Sequence, residues 1–272
     1  MSANNPKQTK AQRQQAARDA RQQAEQAEAA AAARKKRTWQ LGGIVGVAIA
    51  VVAGIAIATS SGDGPDLKGT PNGAKDVNAL FAGVPQQGVS AGKASAPLTM
   101  IEYADLKCPV CRDFDVNAMP TIIQRYVRTG KLRIELRLLH FVGEQQNPGD
   151  SERAARFAIA AGKQGKLWSF AELFFFNQQD ETTAYVTDDY LKWLAKPIPG
   201  LDANKALKDR DSKVITAQLA AYAREFAGHG FTGTPSFMIG STGGTLLPLV
   251  PSGGVGSPDS FTAQIDTLLQ GK

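Results

Sequence analysis

Residues 105–112 of the sequence read DLKCPVCR, and they contain both cysteines of the 272-residue chain, Cys108 and Cys111. A Cys-x-x-Cys pair can form part of a zinc site, close a structural disulfide or exchange electrons with other thiols. Zinc needs three or four ligands, and the chain adds only two histidines, each alone in an apolar setting. A disulfide between such close cysteines restrains little of the unfolded chain. The pattern therefore favours a redox pair.

The residues around the pair predict different roles for its two thiols. Residues 98–104 (LTMIEYA) have the pattern of a short strand, and residues 109–128 have helical spacing, with a kink predicted at Pro120. Cys108 would lie where the strand ends and the helix begins, where unpaired N–H groups and the helix dipole favour a thiolate. Pro109 suits the first helical position. We predict Cys108 as the nucleophile and Cys111, one turn later, as the resolving thiol.

The wider pattern predicts an α/β domain over residues 96–272. Residues 132–139 (LRIELRLL) read as a second strand, so strand, helix and strand form a βαβ unit with a parallel pair. Apolar residues at helical spacing follow, and strand character returns later. The predicted helices are 151–162, 166–177, 187–195, 212–227 and 258–269, and the later strands are 236–239 and 245–250. The chain thus reads as a βαβ half, a helical insertion at about 145–228 and a ββα half.

The basic charge of the chain is confined to its first 37 residues. This segment has nine Lys and Arg residues against three acidic ones, whereas the remainder has 22 of each sign. It is rich in Ala and Gln and has no apolar face to bury. We predict a solvated low-complexity tail over residues 1–37, and no nucleic-acid partner is expected.

Residues 38–62 are predicted to form one transmembrane helix. They contain no charged residue, and residues 41–59 (LGGIVGVAIAVVAGIAIAT) are long enough to cross a hydrocarbon core of ~30 Å. Basic residues 34–37 precede the run, which places the tail in the cytoplasm and the catalytic domain outside the cell membrane. The alternative is a cleaved signal peptide, for which Ala56 to Ala58 offer a cleavage site. The long leader and long apolar run favour an uncleaved anchor.

Residues 63–95 have the composition of a flexible linker. They are rich in Gly, Ser, Ala, Pro, Asn and Gln, and one short helix is predicted at residues 76–81. Such a linker would hold the catalytic domain off the bilayer.

Two motifs carry a resemblance to a known family. The residues EYADLKCPVC and GFTGTPSFMIG (230–240), together with the helical insertion, resemble the DsbA-like branch of the thioredoxin superfamily, in its membrane-anchored bacterial thioredoxin_4 type. This resemblance implies a thioredoxin-like fold over about residues 96–269. It implies that Thr234 and Pro235 form a cis-proline loop that lies beside the cysteines and supports the substrate chain. It also implies that Glu102 is a buried acid that relays a proton to or from Cys111; the alternative is an ordinary half-exposed strand residue.

The dipeptide between the cysteines bears on substrate binding and redox strength. We assign Pro109 and Val110 to the substrate-binding face, together with Thr234 and Pro235. Val110 stands where some relatives have a histidine that raises their oxidising power. This departure leaves the direction of electron flow open.

The predicted function is that of a membrane-anchored, extracytoplasmic thiol-disulfide oxidoreductase that introduces disulfides into exported proteins. It needs no metal and no cofactor beyond the redox-active disulfide of Cys108 and Cys111. Its partners would be reduced or unfolded exported proteins and, as the family implies, a quinone-linked membrane protein that reoxidises the pair. Two alternatives remain: a reductase or isomerase kept reduced by a membrane donor, and a non-catalytic thioredoxin-fold binding module.

Overall fold

A six-stranded sheet organises the part of the chain that the computed structural model describes, residues 65–271. The tail predicted over residues 1–37 and the anchor predicted over 38–62 lie outside this part. Among the helices it contains, none has the length and apolar character needed to cross a membrane.

The central strands are those that the sequence predicted. The strands run β1-β2-β4-β3-β5-β6 across the sheet, and β3 pairs in parallel with β4 and antiparallel with β5. All eight residues of β3 are buried, because helices cover both faces of a sheet of this type. The strands are β1 (Gln86–Gln87), β2 (Ser90–Ala91), β3 (Leu98–Asp105), β4 (Leu132–Leu139), β5 (Ser236–Ser241) and β6 (Leu246–Leu249).

Helices separate the two halves of the sheet. The predicted insertion corresponds to α3 to α7, which lie between β4 and β5; the short α6 was not predicted, and Ala206 is its one buried residue. After the cysteines, α2 comprises Pro109–Asp113, a π turn Phe114–Ala118, Met119–Ile122 and a second π turn Ile123–Val127. The others are α1 (Ala74–Phe81), α3 (Asp150–Gly162), α4 (Leu167–Phe176), α5 (Asp188–Ala195), α6 (Ala203–Asp209), α7 (Lys213–Gly228) and α8 (Asp259–Gln270).

The first π turn of α2 lies directly before Pro120. Here the N–H of Met119 donates to the carbonyl of Phe114, one residue further back than in an α-helix. Pro120 has no N–H to donate, so the regular ladder is interrupted at this point. The irregularity predicted at Pro120 is therefore a π turn, which is wider than a turn of α-helix. Asp115 lies in this turn and is 1% exposed.

The flexible linker predicted over residues 63–95 is wrong from about residue 67 onwards, where the chain packs against the domain. Helix α1 buries one face in the core through Ala74, Val77, Leu80 and Phe81, and β1 and β2 extend the sheet beyond β4. Arg128 on α2 donates to three backbone carbonyls at the end of α1. The Gly- and Pro-rich residues that suggested a linker are turns between these short elements. Residues before α1 also bind the domain, since the Nε1 of Trp193 donates to the carbonyl of Gly69 and the Nδ2 of Asn177 donates to that of Asn72.

Candidate active site

The end of β3 and the start of α2 position the two cysteines. Cys108 is the N-cap residue of α2, with φ −75° and ψ 119°, and Pro109 follows at the first helical turn. The N–H of Cys111 donates to the Sγ of Cys108 at 3.4 Å. Both cysteines are free thiols and buried, Cys108 at 6% exposure and Cys111 at 0%. The predicted junction of strand and helix is therefore present, with one thiol at the rim and one behind it.

The surroundings move the pKa values of the two thiols in opposite directions. Hydrogen bonding from Cys111 to the sulfur of Cys108, with smaller help from Thr234, lowers the pKa of Cys108 from 9.0 to about 6 against the effect of burial. Burial raises the pKa of Cys111 well above 9.0, and Cys108 and Glu102 raise it further. At neutral pH the reduced pair thus holds a thiolate at Cys108 and a thiol at Cys111.

Alkylation of the reduced protein by iodoacetamide should therefore follow a single titration with its midpoint near pH 6. Cys111 should stay unmodified, because its thiol is buried and its pKa is raised. Mass spectrometry of the products from about pH 4 to about pH 9 checks both statements. A midpoint close to that of an unperturbed cysteine, or modification of both thiols, would contradict them.

The lowered pKa of Cys108 also gives the stability of the reduced protein a defined dependence on pH. Between about pH 6 and about pH 9 the unfolded chain retains the Cys108 proton and the folded chain does not. Because Glu102, with its raised pKa, opposes this effect in both redox states, the expected result is a difference: relative to the oxidised protein, the reduced protein should gain stability as the pH rises through this range and lose it as the pH falls through 6. Urea unfolding at several pH values measures this, with the oxidised protein as the control in which Cys108 cannot titrate.

The loop before β5 faces the cysteines. The peptide bond between Thr234 and Pro235 is cis, and the Sγ of Cys108 donates to the carbonyl oxygen of Thr234 at 3.5 Å. Pairing of β5 with β3 brings this loop to the end of β3. Val110 is 48% exposed beside the pair, and Pro109 is also exposed. The structure thus brings together Cys108, Pro109, Val110, Thr234 and Pro235, as the sequence predicted.

Glu102 lies in the middle of β3, opposite Leu136 on one side and Phe237 on the other. It is 1% exposed, so the alternative of a half-exposed strand residue is wrong. Burial raises its pKa to about 8; a hydrogen bond with Asp115 opposes this rise and the charge of Cys108 adds to it. A carboxyl with this pKa can both give and accept a proton near neutral pH.

Asp105 and Lys107 form a buried polar network that the sequence did not reveal. The carboxylate of Asp105 accepts hydrogen bonds from the N–H groups of Lys107, Phe141 and Val142 and from the Ser151 hydroxyl. The Nζ of Lys107 forms an ion pair with Asp150 at 2.9 Å and donates to the carbonyl of Thr183. The network ties the residue before Cys108 to the insertion. A lysine beside a cysteine gives no signal of burial, so sequence reasoning missed it.

Gln178, just after α4, also binds the backbone of the active-site loop. Its Nε2 donates to the carbonyls of Leu106, at 2.8 Å, and of Cys108, at 3.1 Å. The insertion thus fixes the backbone on which the nucleophilic sulfur is carried.

Replacement of Gln178 by alanine should destabilise the reduced protein by about 1–2 kcal/mol, because two carbonyls lose their shared donor. Gln179→Ala is the matched control, since this exposed side chain donates only to the carbonyl of Asn177. Urea unfolding of both variants makes the comparison. Equal losses in the two variants would show that the loop does not depend on Gln178.

Comparisons with known proteins cover the region that carries the site. Residues 85–244 match the family model Thioredoxin_4, described as thioredoxin. The chain is 30% identical over 181 residues to "Probable disulfide bond formation protein D" of Bacillus cereus, which covers 66% of this chain and 77% of that protein. It is 31% identical over 176 residues to the protein of the same name from Bacillus anthracis, covering 64% and 75%. The crystal structure of oxidised BdbD from Bacillus subtilis superposes with a TM-score of 0.56 at 22% identity, covering 70% of this chain and 95% of that one.

Proposed function

The chain belongs to the thioredoxin family as a DsbA-like thiol-disulfide oxidoreductase, and we propose that it introduces disulfides into exported proteins through Cys108 and Cys111. The observation that carries this proposal is the opposite shift in the pKa values of the two thiols. A thiolate stable at neutral pH is a good leaving group, so a mixed disulfide at Cys108 is readily released.

Disulfide transfer then proceeds in two exchanges. A substrate thiolate attacks the Sγ of Cys108 in the oxidised pair; the bond between the cysteines breaks, and Cys111 takes the electron pair and a proton. A second substrate thiolate attacks the substrate sulfur of the mixed disulfide, and Cys108 leaves as a thiolate. The substrate loses two electrons and two protons, and the cysteine pair gains the electrons. No bound cofactor or metal takes part in these exchanges.

Glu102 is assigned the transfer of the proton to and from Cys111. The charge of the Glu102 carboxylate raises the pKa of Cys111. The pKa of Glu102 itself, about 8, suits proton exchange near neutral pH. The substrate chain would lie along Thr234 and Pro235 and over the exposed Pro109 and Val110, all of which surround Cys108. This placement gives the attacking sulfur a path to Cys108 and keeps Cys111 away from solvent.

The location proposed for this reaction rests on residues outside the described part of the chain. The basic residues 34–37 and the apolar run 38–62 favour a single-pass anchor with its N-terminus in the cytoplasm and the catalytic domain outside. Reduced exported proteins are then the substrates. A quinone-linked membrane protein is proposed as the oxidant that returns Cys108 and Cys111 to the disulfide.

The reduction potential of the pair tests the direction of transfer. The full chain is equilibrated in glutathione buffers, and its reduced fraction is measured by thiol labelling. A potential above about −150 mV fits an oxidase, which gives its disulfide away. A potential near about −250 mV or lower would overturn the proposal in favour of a reductase or isomerase that is kept reduced by a membrane donor.

A further inference from the structure

Three buried carboxyls lie behind the redox pair. They are Glu102 on β3, Asp115 in the first π turn of α2 and Glu172 on α4, with exposures of 1%, 1% and 0%. We call these three residues the acid cluster. Glu172 comes from the helical insertion and has no role in the exchanges described above.

The acid cluster has no protein donor for its oxygens. Within residues 65–271, no N–H or O–H group donates to either carboxyl oxygen of Glu102, Asp115 or Glu172. Ionised Glu102 raises the pKa of Asp115, so these two buried carboxyls disfavour ionisation of each other. An ionised carboxylate buried without a donor or a cation is costly. The structure therefore favours shared protons within the cluster.

The groups that act on the cluster are acidic. The pKa of Glu102 depends on Asp115 in α2 and on Cys108 at the start of that helix. The pKa of Glu172 is raised by the charge of Glu102 on β3. The charges of both glutamates and of Cys108 raise the pKa of Asp115. Arg112, a basic side chain beside α4, donates its Nε to the carbonyl of Phe175 at 3.1 Å and not to these carboxyls. A negative charge that appears at Cys108 therefore finds carboxyls behind it and no compensating cation.

We propose that Glu172 is a positioning residue for the redox equilibrium, because it holds the acid cluster in a state that takes up a proton when the cysteine pair is reduced. The inference rests on the proposed function, and it gives the helical insertion a part in the proton uptake that accompanies reduction. Reduction by a dithiol releases two protons. One binds Cys111, and the other is not retained by Cys108, which remains a thiolate. The acid cluster takes up part of that second proton, and its charge falls as the thiolate charge appears.

The direction of this effect follows from repulsion between like charges. A thiolate at Cys108 disfavours ionisation of Glu102 and Asp115, and ionised Glu102 disfavours ionisation of Glu172. Because repulsion between two charges is mutual, ionised Glu172 in turn disfavours ionisation of Glu102. The variant Glu172→Gln removes one acid and its repulsion but keeps the shape of the side chain. Glu102 should then ionise at lower pH in both redox states, so that less proton uptake accompanies reduction between pH 7 and 8.5.

Proton uptake is measured as the pH dependence of the equilibrium between the full chain and glutathione, corrected for the ionisation of glutathione itself. Each proton taken up changes the equilibrium constant about tenfold per pH unit. We expect a change of more than tenfold per pH unit for the unmodified protein, and close to tenfold for Glu172→Gln. Glu181→Gln, which removes an exposed glutamate from the same insertion, should behave like the unmodified protein.

Equal pH dependence in Glu172→Gln and the unmodified protein would overturn the inference. Should that variant fail to fold, infrared spectroscopy of the unmodified protein tests the proton uptake, because it needs no variant. The reduced-minus-oxidised infrared spectrum should show a gain of protonated carboxyl, and its absence would also overturn the inference. These measurements hold for a disulfide donor and for a reductase alike, so their failure is distinct from an unfavourable reduction potential. A pair that does not exchange with glutathione contradicts both proposals.

Discussion

Cys108→Ser should lower the rate of disulfide transfer to a reduced substrate by at least about 10³-fold, since a serine hydroxyl stays protonated at neutral pH and forms no disulfide. The thiolate that the variant removes is the one that accepts a hydrogen bond from the N–H of Cys111. The measurement is the rate of oxidation of a reduced, unfolded model protein by the oxidised full chain. Substantial transfer by Cys108→Ser would contradict the assignment of the nucleophile.

Cys111→Ser is the matched variant, and it should fail in a different way. Its Cys108 thiolate can still attack a disulfide in a substrate protein, forming a mixed disulfide and releasing one substrate thiolate, but Cys111 is no longer present to attack that mixed disulfide in return. The variant should therefore accumulate covalent complexes with substrate proteins, which non-reducing electrophoresis detects and reductant removes. Cys108→Ser should form none, because the remaining Cys111 is 0% exposed. Complexes in both variants would show that the two thiols are equivalent.

Much of this site could be predicted because its signals are local in sequence. The residues CPVC mark the helix start, and the alternation in 132–139 gives the second strand of the parallel pair. Thr234 and Pro235 are 126 and 127 positions from Cys108, and it was the family resemblance that related them to it. The structure agrees at each of these places, with strand β4 at Leu132–Leu139 and a cis bond at Pro235.

What could not be predicted depends on contacts between distant segments. Helix α1 is short and flanked by Gly and Pro, so its composition resembled a linker; only its packing against the core and the capping of its end by Arg128 identify it as part of the domain. Glu172 occupies a helical position in an apolar run, where a glutamate ordinarily points to solvent. Its burial follows from the placement of α4 against the π turn of α2, and no local pattern encodes that.

Lys107→Met should destabilise the folded protein by about 3–5 kcal/mol, because it breaks a buried ion pair and leaves the buried Asp150 carboxylate with the partly exposed Arg153 as its remaining cation. The side chain of Lys107 is fully buried, and that of Asp150 is 5% exposed. Asp150 keeps hydrogen bonds from the N–H groups of Tyr185 and Val186 and its contact with Arg153, but the carbonyl of Thr183 loses its donor. Urea unfolding measures the loss, with Lys205→Met as a control.

The control should lose far less, because the pair of Lys205 with Asp209 joins a lysine that is 56% exposed to a carboxylate one helical turn away. Exposed pairs of this kind contribute little to stability, because water screens both charges. The double variant Lys107→Met with Asp150→Asn should be more stable than Lys107→Met alone, since it no longer contains a buried carboxylate that has lost its buried cation. A loss below about 1 kcal/mol in Lys107→Met would contradict this account of the pair. Lys107 precedes Cys108, and Asp150 begins α3. The same substitution should therefore also weaken the contact between the helical insertion and the residues that carry Cys108.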